Sequence, residues 1–151
     1  MSEQSEILHP LSNRRILLAE DNAQELVLLR EAFLAANLEV DIDWLPDGDL
    51  VLNRLRSLAP WDGGEPYDLV ILDLHLPKRS AKEILAVLES ENKKLKMPVV
   101  ALTTLVSEYD KQALLALGVQ EVFLKPSDLD GYFELARRLA ALLPGARQSA
   151  T

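Results

Sequence analysis

The chain has 151 residues, of which 48% are hydrophobic and 26% charged, enough to fold one domain around its own core and too apolar for wholesale disorder. Acidic residues outnumber Lys and Arg by 24 to 16 for a net charge of −8, which removes the electrostatic footprint that nucleic-acid and anionic-membrane binders carry. With no cysteine, disulfide frameworks, zinc thiolate sites, iron–sulfur clusters and thiol catalysis all drop out.

Residues 1–13 read as a polar arm broken by Pro10. Met1 to Glu6 has no basic segment leading into an apolar run, so no signal peptide is expected. No apolar stretch reaches the ~20 residues of a membrane helix. The expected location is the cytoplasm, with neither membrane nor nucleic acid as a partner.

Regular structure is expected from Arg14. Ile16 to Ala19 is a short run apolar on both faces, the mark of a strand buried in a parallel sheet. Asp21-Asn22 then offers an N-cap for a helix whose stripe is Leu26, Leu29, Phe33 and Ala36. Leu38 to Trp44 alternates strictly, which suits an edge strand. Val51, Leu55 and Leu58 form a second helical stripe, and Ala59 to Asp68, with Pro60, Pro66 and Gly63-Gly64, is a surface excursion. Leu69 to Leu72 is the next buried strand and Ile84, Leu85 and Leu88 the next stripe. Val99 to Leu102 is the fourth strand, and Leu114 and Leu117 precede Gly118 in the C′ place of the fourth helix. Val122 to Leu124 is the fifth strand. Leu129, Tyr132, Phe133, Ala136, Leu139, Ala140 and Leu143 stripe a long fifth helix that Pro144-Gly145 stops, leaving a polar tail. Five βα units in a row predict a parallel sheet covered by helices on both faces.

Ligands bind beyond the carboxyl ends of such strands. There the chain places Glu20-Asp21, Asp73, Thr103-Thr104 and Lys125-Pro126. Taken singly, these would be a helix cap, a cap for the third helix, turn residues and a solvated lysine. Four of five strands delivering them to one edge favours a site. Three carboxylates brought together repel and call for a cation, and an all-oxygen set with room for water suits magnesium. Lys125 and the Thr103 hydroxyl beside a carboxylate suit phosphoryl transfer, with the carboxylate as nucleophile.

The runs Ile16–Asn22, Asp68–Pro77, Pro98–Thr104 and Phe123–Pro126 resemble the receiver domain of two-component response regulators (the CheY-like family) over residues 14–143, with residues 1–13 as arm and 144–151 as tail. The resemblance implies a flavodoxin-like, doubly wound (βα)5 fold with strand order 2-1-3-4-5. It makes Asp73 the residue phosphorylated by a sensor histidine kinase. Glu20, Asp21, Asp73 and the backbone carbonyl of His75 become the Mg2+ ligands, while Thr103, Thr104 and Lys125 hold the phosphoryl group. Pro126 matches a proline that often follows a cis bond. Within the family, Leu76-Pro77-Lys78 and Leu102-Thr103-Thr104 look most like the single-domain regulators that serve phytochrome kinases. The implied partner is a sensor histidine kinase, a bacteriophytochrome in that sub-family reading.

Two departures stand out. Ala81 replaces a usual glycine, and Val122 replaces a usual Tyr or Phe, so an aromatic switch at that position is not expected. Any response then runs through Thr103 and its loop, or through the fourth and fifth helices by another route. The two histidines, His9 in the arm and His75 in a loop, are not on a helix face and are not read as phosphotransfer residues. His75 and Leu105 flank the line of water attack on an acyl phosphate. Trp44 and Trp61 are read as packing residues, and Glu89 to Lys96 as a solvated helix end.

The function expected is a phosphorelay switch that catalyses only its own phosphorylation and dephosphorylation, and is otherwise no enzyme. The alternatives are a Mg-dependent aspartyl-nucleophile phosphohydrolase and an unphosphorylated pseudo-receiver scaffold. A nucleotide or flavin binder lacks its glycine-rich loop. The chain stops soon after the fifth helix, so output by protein contact is expected. The apolar content of the fifth helix, with Tyr132 and Phe133, predicts a homodimer.

Overall fold

The computed structural model describes residues 14–58 and 66–144. His9, Trp61, the arm, the tail and most of the excursion after Leu58 lie outside the described residues. The element order is β1 Arg14–Ala19, α1 Ala23–Ala35, β2 Val40–Leu45, α2 Gly48–Arg56, β3 Leu69–Asp73, α3 Ala81–Ser90, β4 Val99–Thr103, α4 Glu108–Ala116, β5 Glu121–Leu124 and α5 Leu129–Ala140. The five strands are parallel in the order β2-β1-β3-β4-β5, as the receiver resemblance implied.

Every residue of β3 and β4 is buried, which is why these runs show no alternation in sequence. Their side chains still divide by face. Leu17, Ala19, Val70, Leu72, Val99 and Ala101 pack under α2, α3 and α4. Ile16, Leu18, Leu69, Ile71, Val100 and Leu102 pack under α1 and α5. β2 lies at one edge, half-buried to exposed along its length.

Helix ends follow the local sequence. Asn22, Asp47, Ser80, Ser107 and Asp128 are the N-caps, each with a side chain accepting a first-turn amide. Ser80 and Glu83 complete a capping box on α3. Asp73 therefore caps nothing. Helices α1, α3 and α4 end alike. Asn37, Asn92 and Gly118 take positive φ, and the next amide donates back to Phe33, Leu88 and Leu114, the Schellman closure.

Some expectations are corrected. No cis peptide bond occurs among the described residues, so Lys125-Pro126 is trans. Leu129 is 53% exposed rather than part of the α5 stripe. Tyr132, Leu135, Ala136 and Leu139 are consumed by the core, so the stripe that predicts a homodimer is not a surplus apolar face. The solvated-helix-end reading holds only in part: Glu91 pairs with Arg56, and Lys93 donates to the Leu58 carbonyl.

Candidate functional site

β1 ends one residue before Glu20. The Glu20 amide donates to the Leu45 carbonyl at 3.1 Å, and the Trp44 indole donates to the Glu20 carbonyl. These bonds hold the backbone so that the Glu20 side chain turns inward, 1% exposed. Asp21 stays exposed. The Asn22 amide donates to Glu20 Oε2 at 3.1 Å, tying the start of α1 to the same carboxylate. Asp73 ends β3 opposite Leu102 of β4 and is buried. The His75 amide donates to its Oδ1 at 3.1 Å.

Lys125 closes the group. Its amide donates to the Thr103 carbonyl at 2.7 Å, extending the β4–β5 ladder. Its ammonium lies 3.0 Å from Glu20 Oε1 and 3.2 Å from Asp73 Oδ2. Burial draws the lysine down, but Glu20 and Asp73 more than offset this and leave it above its ordinary value. Burial pushes Glu20 up to about 7; Lys125 opposes the rise and Asp73 adds to it.

Oxygens of Glu20, Asp21 and Asp73 all lie within 4.8 Å of one another. Glu20 and Asp73 share the Lys125 ammonium, Asp21 lies beside them, and Glu20 Oε1 is buried with no aligned hydrogen-bond donor. Such an under-neutralised oxygen cluster fits a hard divalent cation.

Four strands thus deliver Glu20, Asp21, Asp73, Thr103 and Lys125 to one end of the sheet, as expected from the sequence. Thr103 is fully buried, and its hydroxyl donates to the Leu105 carbonyl at 3.2 Å, held within its own loop. Thr104 and the His75 side chain are exposed. Leu105 stands 75% exposed at the rim. Ala81 is fully buried as the first residue of α3, and the left-handed residue in the preceding loop is Lys78. Val122 is half-buried and packs with the α2–α4 side of the core.

Two contacts had no sequence signal. Gly48 opens α2 beneath the loop that follows Asp73. Its amide donates to the Pro77 carbonyl at 2.9 Å, and a Cβ there would sit 2.1 Å from the Arg79 carbonyl oxygen. Only glycine fits this close approach. The other is Glu25 in the first turn of α1, buried and accepting from the Tyr132 hydroxyl of α5 at 2.9 Å.

With this geometry in place, comparison with known proteins is specific. Probable methanogenesis regulatory protein FilR2 of Methanothrix harundinacea is 35% identical over 111 residues, covering 74% of this chain and 71% of that protein. Response regulator Rcp1 of Synechocystis is 29% identical over 122 residues, covering 81% of this chain and 83% of Rcp1. The Mn2+-bound structure of Rcp1 superposes with a TM-score of 0.70 at 27% identity, over 85% of this chain and 92% of Rcp1. The phosphorylated cyanobacterial phytochrome response regulator RcpA superposes with a TM-score of 0.73 at 27% identity, over 87% of this chain and 94% of RcpA. The family model of the response regulator receiver domain matches residues 16–137.

Proposed function

Because the chain belongs to the response regulator receiver family, we propose that it takes a phosphoryl group from a sensor histidine kinase onto Asp73, with Mg2+, and signals by protein contact. The observation that carries this is the Lys125 ammonium 3.2 Å from Asp73 Oδ2, inside a cluster with Glu20 and Asp21. A carboxylate oxygen of Asp73 attacks phosphorus. The P–N bond of the phosphohistidine breaks, its electron pair stays on the imidazole, and an aspartyl phosphate results. The His75 amide fixes the orientation of the Asp73 carboxylate. Lys125 already faces that carboxylate and has only to follow the transferred oxygens. The Thr103 hydroxyl exchanges the Leu105 carbonyl for a phosphoryl oxygen, and exposed Thr104 lines the entrance. Glu20, Asp21, Asp73 and the His75 carbonyl would hold magnesium, which supplies charge neutralisation for the phosphoryl oxygens. Attack of water on phosphorus breaks the P–O bond and restores the carboxylate, and His75 and Leu105 flank that approach.

Likeness to Rcp1 and RcpA supports a phytochrome-type kinase as the donor. Tyr109, Leu124 and Leu129 leave large apolar groups exposed on α4, β5 and α5, which supports homodimerisation through that face in place of the α5 stripe. Light scattering with and without phosphorylation tests the dimer, and a monomer in both states removes it. Among the described residues no helix is long and apolar enough to cross a membrane.

The test of the phosphoryl acceptor is intact mass after incubation with acetyl phosphate and magnesium. The wild-type chain gains one phosphoryl group and Asp73→Asn gains none. Equal labelling of Asp73→Asn would overturn the assignment.

A further inference from the structure

Val122 of β5 packs half-buried with the α2–α4 side of the core. A buried polar link joins the helices on the other face of the sheet. Glu25 and Tyr132 are 4% and 6% exposed, and their bond joins the first turn of α1 to the first turn of α5 across 107 residues of sequence. Among the described residues Glu25 Oε2 is buried with no donor, and the carboxyl group accepts from Tyr132 through Oε1. The charged and titratable groups that act on Glu25 are Tyr132 of α5, Lys125 after β5 and Asp73 of β3; Glu20 after β1 acts on Tyr132. Lys125 favours a negative Glu25, and Asp73 opposes it.

We propose that the buried Glu25–Tyr132 bond couples charge at Asp73 to the packing of α5 against α1. The inference rests on Asp73 being the phosphoryl acceptor. Burial already pushes Glu25 above its ordinary value, so its negative charge is held against a cost. At constant magnesium, converting the Asp73 carboxylate to a dianionic acyl phosphate adds negative charge and draws Lys125 to the phosphoryl oxygens. Both changes oppose a charged Glu25. A hydroxyl bonds a carboxylate more strongly than a neutral carboxyl group, so the tie on Tyr132 loosens and α5 opens more readily.

The experiment is amide hydrogen exchange of the 129–140 segment in magnesium, before and after acetyl phosphate, with intact mass read on the same samples. Phosphorylation of the wild-type chain is expected to speed exchange in α5 roughly fivefold, the difference between a charge-assisted and a neutral hydrogen bond. Glu25→Gln keeps an acceptor for Tyr132 but carries no charge. It should gain the phosphoryl group with no change in α5 exchange, whereas a merely structural bond would leave it behaving as wild type. Tyr132→Phe removes the bond from the other side. It should exchange fast in α5 before phosphorylation and no faster after. A phosphorylated wild type with unchanged α5, or a Glu25→Gln that responds like wild type, overturns the coupling. A chain that gains no phosphoryl group refutes the function proposed above and this inference with it.

Discussion

Glu20→Gln separates the cost of burying a carboxylate from its use in holding a cation. Burial pushes the Glu20 carboxyl from 4.5 to about 7 even with Lys125 3.0 Å away. That corresponds to a preference of about 3 kcal/mol for the neutral form in the folded chain. The folded value lies above the unfolded one, so this share of stability is fully present below pH 4.5 and is lost as pH rises through about 7. Glutamine cannot ionise and escapes the loss, while Lys125 keeps Asp73 as a partner. Urea unfolding in EDTA at roughly pH 4 and pH 8 should find Glu20→Gln close to wild type at the lower pH. It should be more stable by about 2–3 kcal/mol at the higher pH. Magnesium should then stabilise the wild-type chain at the higher pH and the variant less, because ligand binding stabilises the folded state in proportion to its affinity and the variant has lost one of the carboxylates that would hold the ion. A stability difference that does not change between the two pH values would refute the reasoning, since Glu20 would then ionise as freely inside the fold as outside it.

Lys125→Met leaves Glu20 and Asp73 facing each other without a cation, and should cost about 3 kcal/mol in EDTA near pH 8, with part regained in magnesium; urea midpoints read both. Gly48→Ala drives a Cβ to 2.1 Å from the Arg79 carbonyl oxygen. It should cost at least about 2 kcal/mol and slow phosphoryl uptake, because the displaced loop is the one that follows Asp73. Ser80→Ala removes half of the α3 capping box and should cost about 1 kcal/mol, with Ser80→Asp recovering most of it in thermal unfolding.

The strands at the centre of the sheet were legible because burial on both faces leaves an unbroken apolar run. β2 was legible for the opposite reason, since an edge strand keeps its alternation. The same central burial made Glu20, Asp73, Thr103 and Lys125 conspicuous: polar groups directly after such runs have few places to go other than the strand-end edge. Helix ends were partly legible. Gly118 marked the end of α4, but Asn37 and Asn92 do the same work on α1 and α3, and asparagine is common enough elsewhere that it carries a weaker signal. Leu129 misled because a helical stripe assigns a face without saying where the helix begins to meet the sheet. Gly48 was missed because its constraint is set by Arg79, thirty-one residues away in the chain, and nothing in the local pattern distinguishes a crowded glycine from a flexible one.

Glu25 was illegible for a further reason, and it bears on how such a domain can respond at all. An acidic residue in the first turn of a helix is what the helix dipole favours, so its local setting explains it completely. Its hydrogen-bond partner belongs to α5, and that Tyr132 arrives from the far end of the chain. Other polar ties also join the site to helices. The Asn22 amide reaches Glu20 from α1, and the Gly48 amide reaches Pro77 from α2. The apolar packing between sheet and helices is indifferent to charge, so a phosphoryl group at Asp73 exerts no direct pull through it. A charge change is felt first where a buried polar bond joins a helix to the neighbourhood of Asp73. Two of these ties end on carboxylates whose ionisation burial opposes, Glu20 and Glu25, and of the two it is the Glu25 tie that reaches α5.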